Sequence, residues 1–261
     1  MSVVCYPSPG KAKAAMICEA FAAGCGGVVA DPRRGLRPGP AFFYGVVSET
    51  RALFDQVRAE GRDWYYADNS YFDRGRQGYF RVTKNAFQVS DLAAPDYSRF
   101  DQIGAKVKPW RGAGEHIVVC EQSAAFMELS GYSGNWTQDI LTVLAGHTTR
   151  PMRLRKWDRD KNKMMTTLKA DLQNAWVLVT HMSAAANEAL LVGVPVFITG
   201  LCAAGPVASG TTFGDLAQIE TPRYPGGRSA WAAGLAAQQW TIDEIKTGRC
   251  WGGLNANSFK R

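Results

Sequence analysis

The sequence predicts an α/β chain of two domains, and three observations predict it. Residues 176–199, WVLVTHMSAAANEALLVGVPVFIT, read as strand, turn, helix, turn and strand. Strand-like and helix-like runs also alternate from residue 2 to residue 67, the pattern of a parallel sheet joined by crossover helices. Residues 91–115 are polar and contain Pro and Gly, and a new apolar run begins at His116. That places a boundary between a domain of residues 1–110 and a domain of residues 111–261 with a helical tail.

Taken in order, Ser2 to Tyr6 forms a short strand, and Pro7-Ser8-Pro9-Gly10-Lys11 turns into a helix over Ala12 to Ala23. Gly24, Gly26 and Gly27 close that helix. Val28 to Ala30 and Ala41 to Val47 are the next strands, and Thr50 caps an amphipathic helix to Glu60. Trp64 to Ala67 is a fourth strand. A short helix is expected at Tyr97 to Ile103, then a strand at His116 to Cys120 and a helix at Trp136 to Ala145. A strand containing Arg153 and Arg155 and a helix over Thr166 to Asn174 follow. In the 176–199 segment Ser183 is the expected N-cap, Ala184 to Val192 the helix and Gly193 its C-cap residue. Both flanking strands are nearly continuous apolar runs, so they belong in a parallel sheet covered on both faces, with a right-handed crossover. Leu201 to Thr212 reads as a mobile loop over the cleft. In the tail, Trp231, Leu235 and Trp240 suit a core-packed helix, and Thr241 with Glu244 forms a capping box.

A chain of 261 residues that is 46% hydrophobic and 20% charged has material for one large or two ordinary cores. Its net charge of +7 points to a polyanionic partner through counterion release. The six cysteines contain no C-x-x-C pair and the three histidines complete no zinc pattern, so reduced thiols in a cytoplasm are expected and no metal. Residues 189–210 carry no charge, but Gly193, Pro195, Gly200, Gly205 and Pro206 interrupt them. They read as a buried strand and a loop, and neither a membrane span nor a signal peptide is expected.

Candidate site residues gather where strands end. Asp68 follows a strand directly, at the edge where α/β enzymes place chemistry. Tyr71, Arg74, Arg76 and Arg81 mix aromatics with guanidinium groups, which either stack bases and hold phosphates or form a rim of packed aromatics under surface arginines. Ser123 follows the strand at His116 to Cys120. RPMRLRKWDRDKNK holds seven basic residues against two acids, and in it Arg153 and Arg155 alternate so as to point the same way, with Lys156 next. They form either a diphosphate clamp or an edge strand kept soluble by arginine. Asp158-Arg159-Asp160 has a DxD form, which arises often by chance. His181 and Ser183 lie past a strand's carboxyl end with helix amides pointing at them, a corner that attracts phosphate, and Glu188 sits on that helix.

The order His181-x-Ser183-x4-Glu188-Ala-Leu-Leu-x-Gly-x-Pro-Val-Phe resembles the donor-binding corner of GT-B-type glycosyltransferases. Asp68 followed by Tyr71-Phe72 and by Tyr79-Phe-Arg-Val-Thr83 resembles uncharacterised glycosyltransferase-like proteins of bacteriophages, and the basic strand is similar to one in capsule-type transferases. The resemblance implies two Rossmann-like domains facing across a cleft. It further implies transfer of a sugar from a nucleotide-sugar, expected to be UDP-linked, with no other cofactor. Asp68 would be the catalytic base. Ser123, Arg153, Arg155, Lys156, His181, Ser183 and Glu188 would bind the donor, with Glu188 on the ribose. Tyr71, Arg74, Arg76 and Arg81 would bind the acceptor. The implied acceptor is a hydroxymethylated pyrimidine in double-stranded DNA, in the cytoplasm of a phage-infected host. A surface-carbohydrate transferase and a non-catalytic DNA-binding protein remain the alternatives.

Overall fold

The computed structural model describes residues 1–46, 48–72, 78–89, 91–158, 163–164 and 166–256. The chain divides into two compact units, residues 1–89 with 238–261 and residues 90–237.

In the first unit a six-stranded sheet has the order β12-β5-β4-β3-β1-β2, built from β1 (Val4–Tyr6), β2 (Val28–Val29), β3 (Ala41–Tyr44), β4 (Trp64–Asn69), β5 (Tyr79–Lys84) and β12 (Gln239–Thr241). The first four are parallel, while β5 runs antiparallel to β4 and β12 antiparallel to β5. Helix α1 (Ala12–Cys25) buries Ala14, Ile17, Cys18 and Phe21 on one stripe at helical spacing, and Phe21 stacks on Phe42 of β3 at 4.0 Å between centroids. The helices α9 (Ile242–Lys246) and α10 (Arg249–Ala256) join α1 over this face. A Cβ on Gly24 would meet the Ile245 carbonyl oxygen at 2.0 Å, so only glycine lets α1 and α9 approach this closely. On the other face α2 (Ser48–Ala59) sets Phe54 among Phe43, Trp64 and Phe87.

The second unit has an all-parallel sheet of order β11-β10-β6-β7, comprising β6 (His116–Cys120), β7 (Met152–Arg155), β10 (Ala175–Thr180) and β11 (Val196–Ile198). All six residues of β10 are buried, as its unbroken apolar run requires. Between strands lie α4 (Ala124–Leu129), α5 (Trp136–Ala145), α6 (Leu168–Asp171) and α7 (Ala185–Leu191), and β8 (Trp157–Asp158) pairs with β9 (Lys163–Met164). Trp136, Ile140 and Leu144 of α5 share a core with Ile117, Val119, Val177 and Val179. Helix α3 (Tyr97–Ile103) packs on α8 (Arg228–Ala236). Gly193 closes α7 with φ +83°, and a Cβ there would meet the Pro109 carbonyl oxygen at 2.0 Å.

Several expectations are corrected. The chain divides near residue 89 rather than 110, and the tail is shared between the units, because β12 completes the first sheet and α9 packs on α1. Trp240 therefore lies in a strand rather than in the helix of Trp231, although the Thr241–Glu244 capping box forms as read. Strand β5 had no expected counterpart. The 201–212 segment is largely packed down: Ser209 N donates to Val196 O at 2.7 Å, Ile198 N to Gly210 O at 3.0 Å, and Trp231 Nε1 to Ala203 O at 2.8 Å.

Candidate functional site

Each sheet has, among its parallel strands, one point where successive connections leave in opposite directions, and the crevice beyond the strands' carboxyl ends there is where such folds bind ligands. In the first unit that point lies between β1 and β3, because the chain passes from β1 to β2 on one side and returns to β3 on the other. In the second it lies between β6 and β10.

Along the first unit's edge, β4 extends two residues further than expected, so Asp68 sits within the strand and opposite Arg81 of β5. Arg81 Nη2 donates to Asp68 Oδ2 at 2.6 Å and Tyr66 OH to the same oxygen at 3.1 Å, while Asn69 N donates to Oδ1 at 2.7 Å. A carboxylate offers about four acceptor positions. Three are used, and the side chain remains about one-third exposed (32%). Beside it Asn69 Oδ1 accepts from Lys13 Nζ at 2.7 Å and from Tyr44 OH at 3.3 Å. Lys13 Nζ also lies 5.6 Å from the Tyr44 ring centroid and 5.1 Å from that of Phe80. Burial, followed by the charge of Asp68, pushes the Tyr44 hydroxyl up to about 12. Sequence reasoning does not single out Lys13, Tyr44 or Asn69. A signal exists for them, since the first turn of a helix that follows a parallel strand lies at the same edge as the end of β4.

Two expected acceptor contacts are corrected. Tyr71 is fully buried, with its hydroxyl accepting from Val89 N at 3.3 Å, so its ring is packed inside rather than open for stacking. Arg81 is also buried, holding Asp68 and the Asn69 carbonyl. Arg74 and Arg76 lie outside the described residues.

At the second unit's edge, Gln122 Oε1 accepts from Met182 N at 2.9 Å and ties the turn after β6 to the turn after β10. A pocket of about 600 Å³ opens here, lined by Glu121, Gln122, Ser123, Glu128, Tyr132 and Asn135 among others. Ser123 lines it as the N-cap of α4, its Oγ accepting from Phe126 N at 3.3 Å, and Asn135 caps α5.

His181 is not an open phosphate contact. Its Nε2 lies 3.2 Å from Ser130 Oγ and its Nδ1 3.0 Å from Thr199 Oγ1. The Ser130 hydroxyl spends its proton on Met127 O at 2.6 Å, so it accepts from Nε2–H. Nδ1 then accepts from Thr199, whose oxygen accepts from Trp136 Nε1 at 2.7 Å. With a neutral imidazole every member of this chain has its partner, and burial lowers the affinity of His181 for a second proton.

Ser183 stands one residue before the N-cap, which is Ala184, and its Oγ accepts from Ala185 N at 3.2 Å. Glu188 is half-buried on α7. Arg153 and Lys156 are exposed. Arg155 is corrected: its Nη1 donates to Asp171 Oδ2 and, at 2.8 Å, to Thr166 O, with both side chains about nine-tenths buried. It holds β7 to the segment before β10 rather than facing a ligand.

No protein-family model matches the chain, and no curated protein matches it. Among solved structures it is similar to two described as Thermosulfurimonas dismutans KpsC, one a β-Kdo 2,4 transferase and the other a β-Kdo 2,7 transferase. The identities are 11% and 12%, the TM-score is 0.52 for each, and each match covers 90% of both chains. At that identity the likeness shows the fold: this chain shares with those transferases a mixed α/β architecture built on parallel sheets.

Proposed function

We propose that this protein is a glycosyltransferase that moves a sugar from a nucleotide-sugar donor to a hydroxyl acceptor. The observation that carries the reading is the fold match over 90% of the chain to two proteins described as sugar transferases. The fixed carboxylate of Asp68 at a sheet's carboxyl edge supports it. In this reading the acceptor oxygen attacks the anomeric carbon, the bond from that carbon to the nucleotide phosphate breaks, and the acceptor proton passes to Asp68 Oδ1, which keeps a lone pair free. The donor belongs to the β6–β10 corner. Arg153, Lys156 and the turn at Ser183 would offset the departing phosphate charge, and Glu188 would accept from the ribose hydroxyls. Ser123 would contact the donor from the pocket wall.

A carbohydrate hydroxyl is the acceptor favoured by the descriptions of the two similar structures. A hydroxymethylated pyrimidine in DNA is the second reading, favoured by the +7 charge. Incubation with a panel of nucleotide sugars, followed by chromatography of released nucleotide and mass spectrometry of acceptors, tests both. Nucleotide release that falls by about 10²- to 10⁴-fold in Asp68→Asn supports the proposed base. Equal turnover by Asp68→Asn would remove Asp68 from the mechanism, and no turnover with any donor would overturn the transferase reading. A mass gain on hydroxymethylated DNA, suppressed steeply by salt, would move the acceptor to DNA.

A further inference from the structure

The Pro7–Lys11 turn and Ala30–Arg33 line a second, open pocket of about 620 Å³ at the carboxyl ends of β1 and β2. Helix α1 begins in it. The helix has 14 residues, its N-cap is Lys11, no side chain caps its first amides and its first turn contains no acid. Such an end carries unsatisfied N–H groups and partial positive charge. Independently, Ser8 lines the pocket, is 4% exposed, and has a hydroxyl without a hydrogen-bond partner among the described residues. A buried hydroxyl left unmade is costly, which marks the place for a missing partner.

The charges around the pocket agree. Lys11 is exposed and makes no ion pair among the described residues. Asp31 on the rim is already occupied, since Arg33 donates to it from its backbone N at 3.0 Å, from Nε at 2.9 Å and from Nη2 at 2.8 Å. Gly10 turns the chain at φ +71°, and the space where its Cβ would stand is open.

We propose that this pocket is an oxyanion site, taking a phosphate monoester or a carboxylate on the first amides of α1, the Ser8 hydroxyl and the Lys11 ammonium. The site and the donor corner belong to different units, and its test needs no donor, so it stands or falls apart from the transferase reading.

The test is titration of the ¹⁵N-labelled full chain with inorganic phosphate at constant ionic strength, reading amide shifts. Saturable shifts at Gly10, Lys11, Ala12 and Lys13, weakened at least about fivefold in Ser8→Ala and in Lys11→Gln, are expected. Acetate saturating the same amides with similar affinity would assign the site to carboxylates. Saturation by phosphate alone would assign it to phosphate monoesters. Shifts that never saturate, or an affinity unchanged in Lys11→Gln, would overturn the proposal. Lys11 is exposed, so that variant keeps the fold even if Ser8→Ala does not.

Discussion

At the carboxyl edge of the first unit a 14-residue helix begins without a side chain on its amides, whereas at the second unit's edge Ser123 and Asn135 cap both helices that line the pocket. The same contrast extends to the side chains. Lys13 and Asp68 reach solvent while holding their neighbours, but His181 and Arg155 are largely buried and held by groups within their own unit. A mixed sheet and an all-parallel one thus place polar residues at the carboxyl edges of their parallel strands for different ends. One edge keeps hydrogen-bonding capacity for a ligand, and the other spends much of it on its own architecture. Substitutions should separate the two: second-edge residues should cost stability, and first-edge residues should cost binding.

The largest effect is expected from Arg155→Met, which leaves Asp171 as an uncompensated buried charge. A loss of about 3–5 kcal/mol in urea unfolding is expected, against a change within about 0.5 kcal/mol for Arg153→Met two residues away. Equal effects from the two arginines would break the comparison, because their difference rests on the bonds of Arg155 to Asp171 and the Thr166 carbonyl.

His181→Leu comes next. It strands the Thr199 hydroxyl proton, at about 1–3 kcal/mol for the group left unmade, while Ser130 keeps its bond to Met127 O. The effect also has a pH signature. The folded state holds His181 below its ordinary proton affinity, so the unfolded chain binds more protons and stability falls as pH drops below about 6.5. Thermal unfolding across pH 5 to 8 should show that slope in the native chain and a flatter one in His181→Leu. An unchanged slope would mean that the imidazole is not held neutral.

Thr241→Ala probes the join of the tail to the first unit. The Thr241 Oγ1 accepts from Glu244 N at 3.3 Å and Glu244 Oε2 accepts from Thr241 N at 2.9 Å, so losing the box should cost about 1 kcal/mol by urea unfolding. No measurable loss would show that β12 and the packing of α9 on α1 hold the tail without the box.

These residues also show what the sequence can disclose. The 176–199 segment is legible because its signals are local: two apolar runs, a helix-forming stretch, and Gly193 where the backbone must turn against Pro109. The capping box is legible for the same reason. Strand β5 is not, because its sequence, YFRVTK, buries Arg81 and Thr83, and a buried arginine makes sense only once Asp68 is known to stand opposite. Strand β12 offers three residues and a partner far away in the chain. The strand that carries Arg153 and Arg155 shows in their alternation, but Asp171, which decides what Arg155 does, carries no local mark. At the site, strand ends locate Asp68 and Ser123. Burial and partners, which are non-local, decide the fate of Tyr71, Arg81, Arg155 and His181.

The smallest effect on stability, and the sharpest test of the contrast, is expected from Lys13→Met. Its ammonium is exposed and, among the described residues, holds only Asn69 Oδ1 and the faces of Tyr44 and Phe80, while its methylene stem is preserved in Met. Unfolding should therefore shift by no more than about 0.5 kcal/mol. Binding should respond differently, because Lys13 lies in the first turn of α1, beside the carboxyl edge that carries Asp68. Removing one positive charge there should weaken retention of an anionic ligand and reduce the dependence of that retention on salt. The pair of measurements separates the two roles that an edge lysine can have. A stability loss comparable to that of Arg155→Met, with unchanged anion binding, would show that the polar groups of the first edge serve their own unit's architecture no less than those of the second. Unchanged stability with weakened, less salt-sensitive binding would show that the two edges, alike in topology, differ in what their polar groups are left free to do.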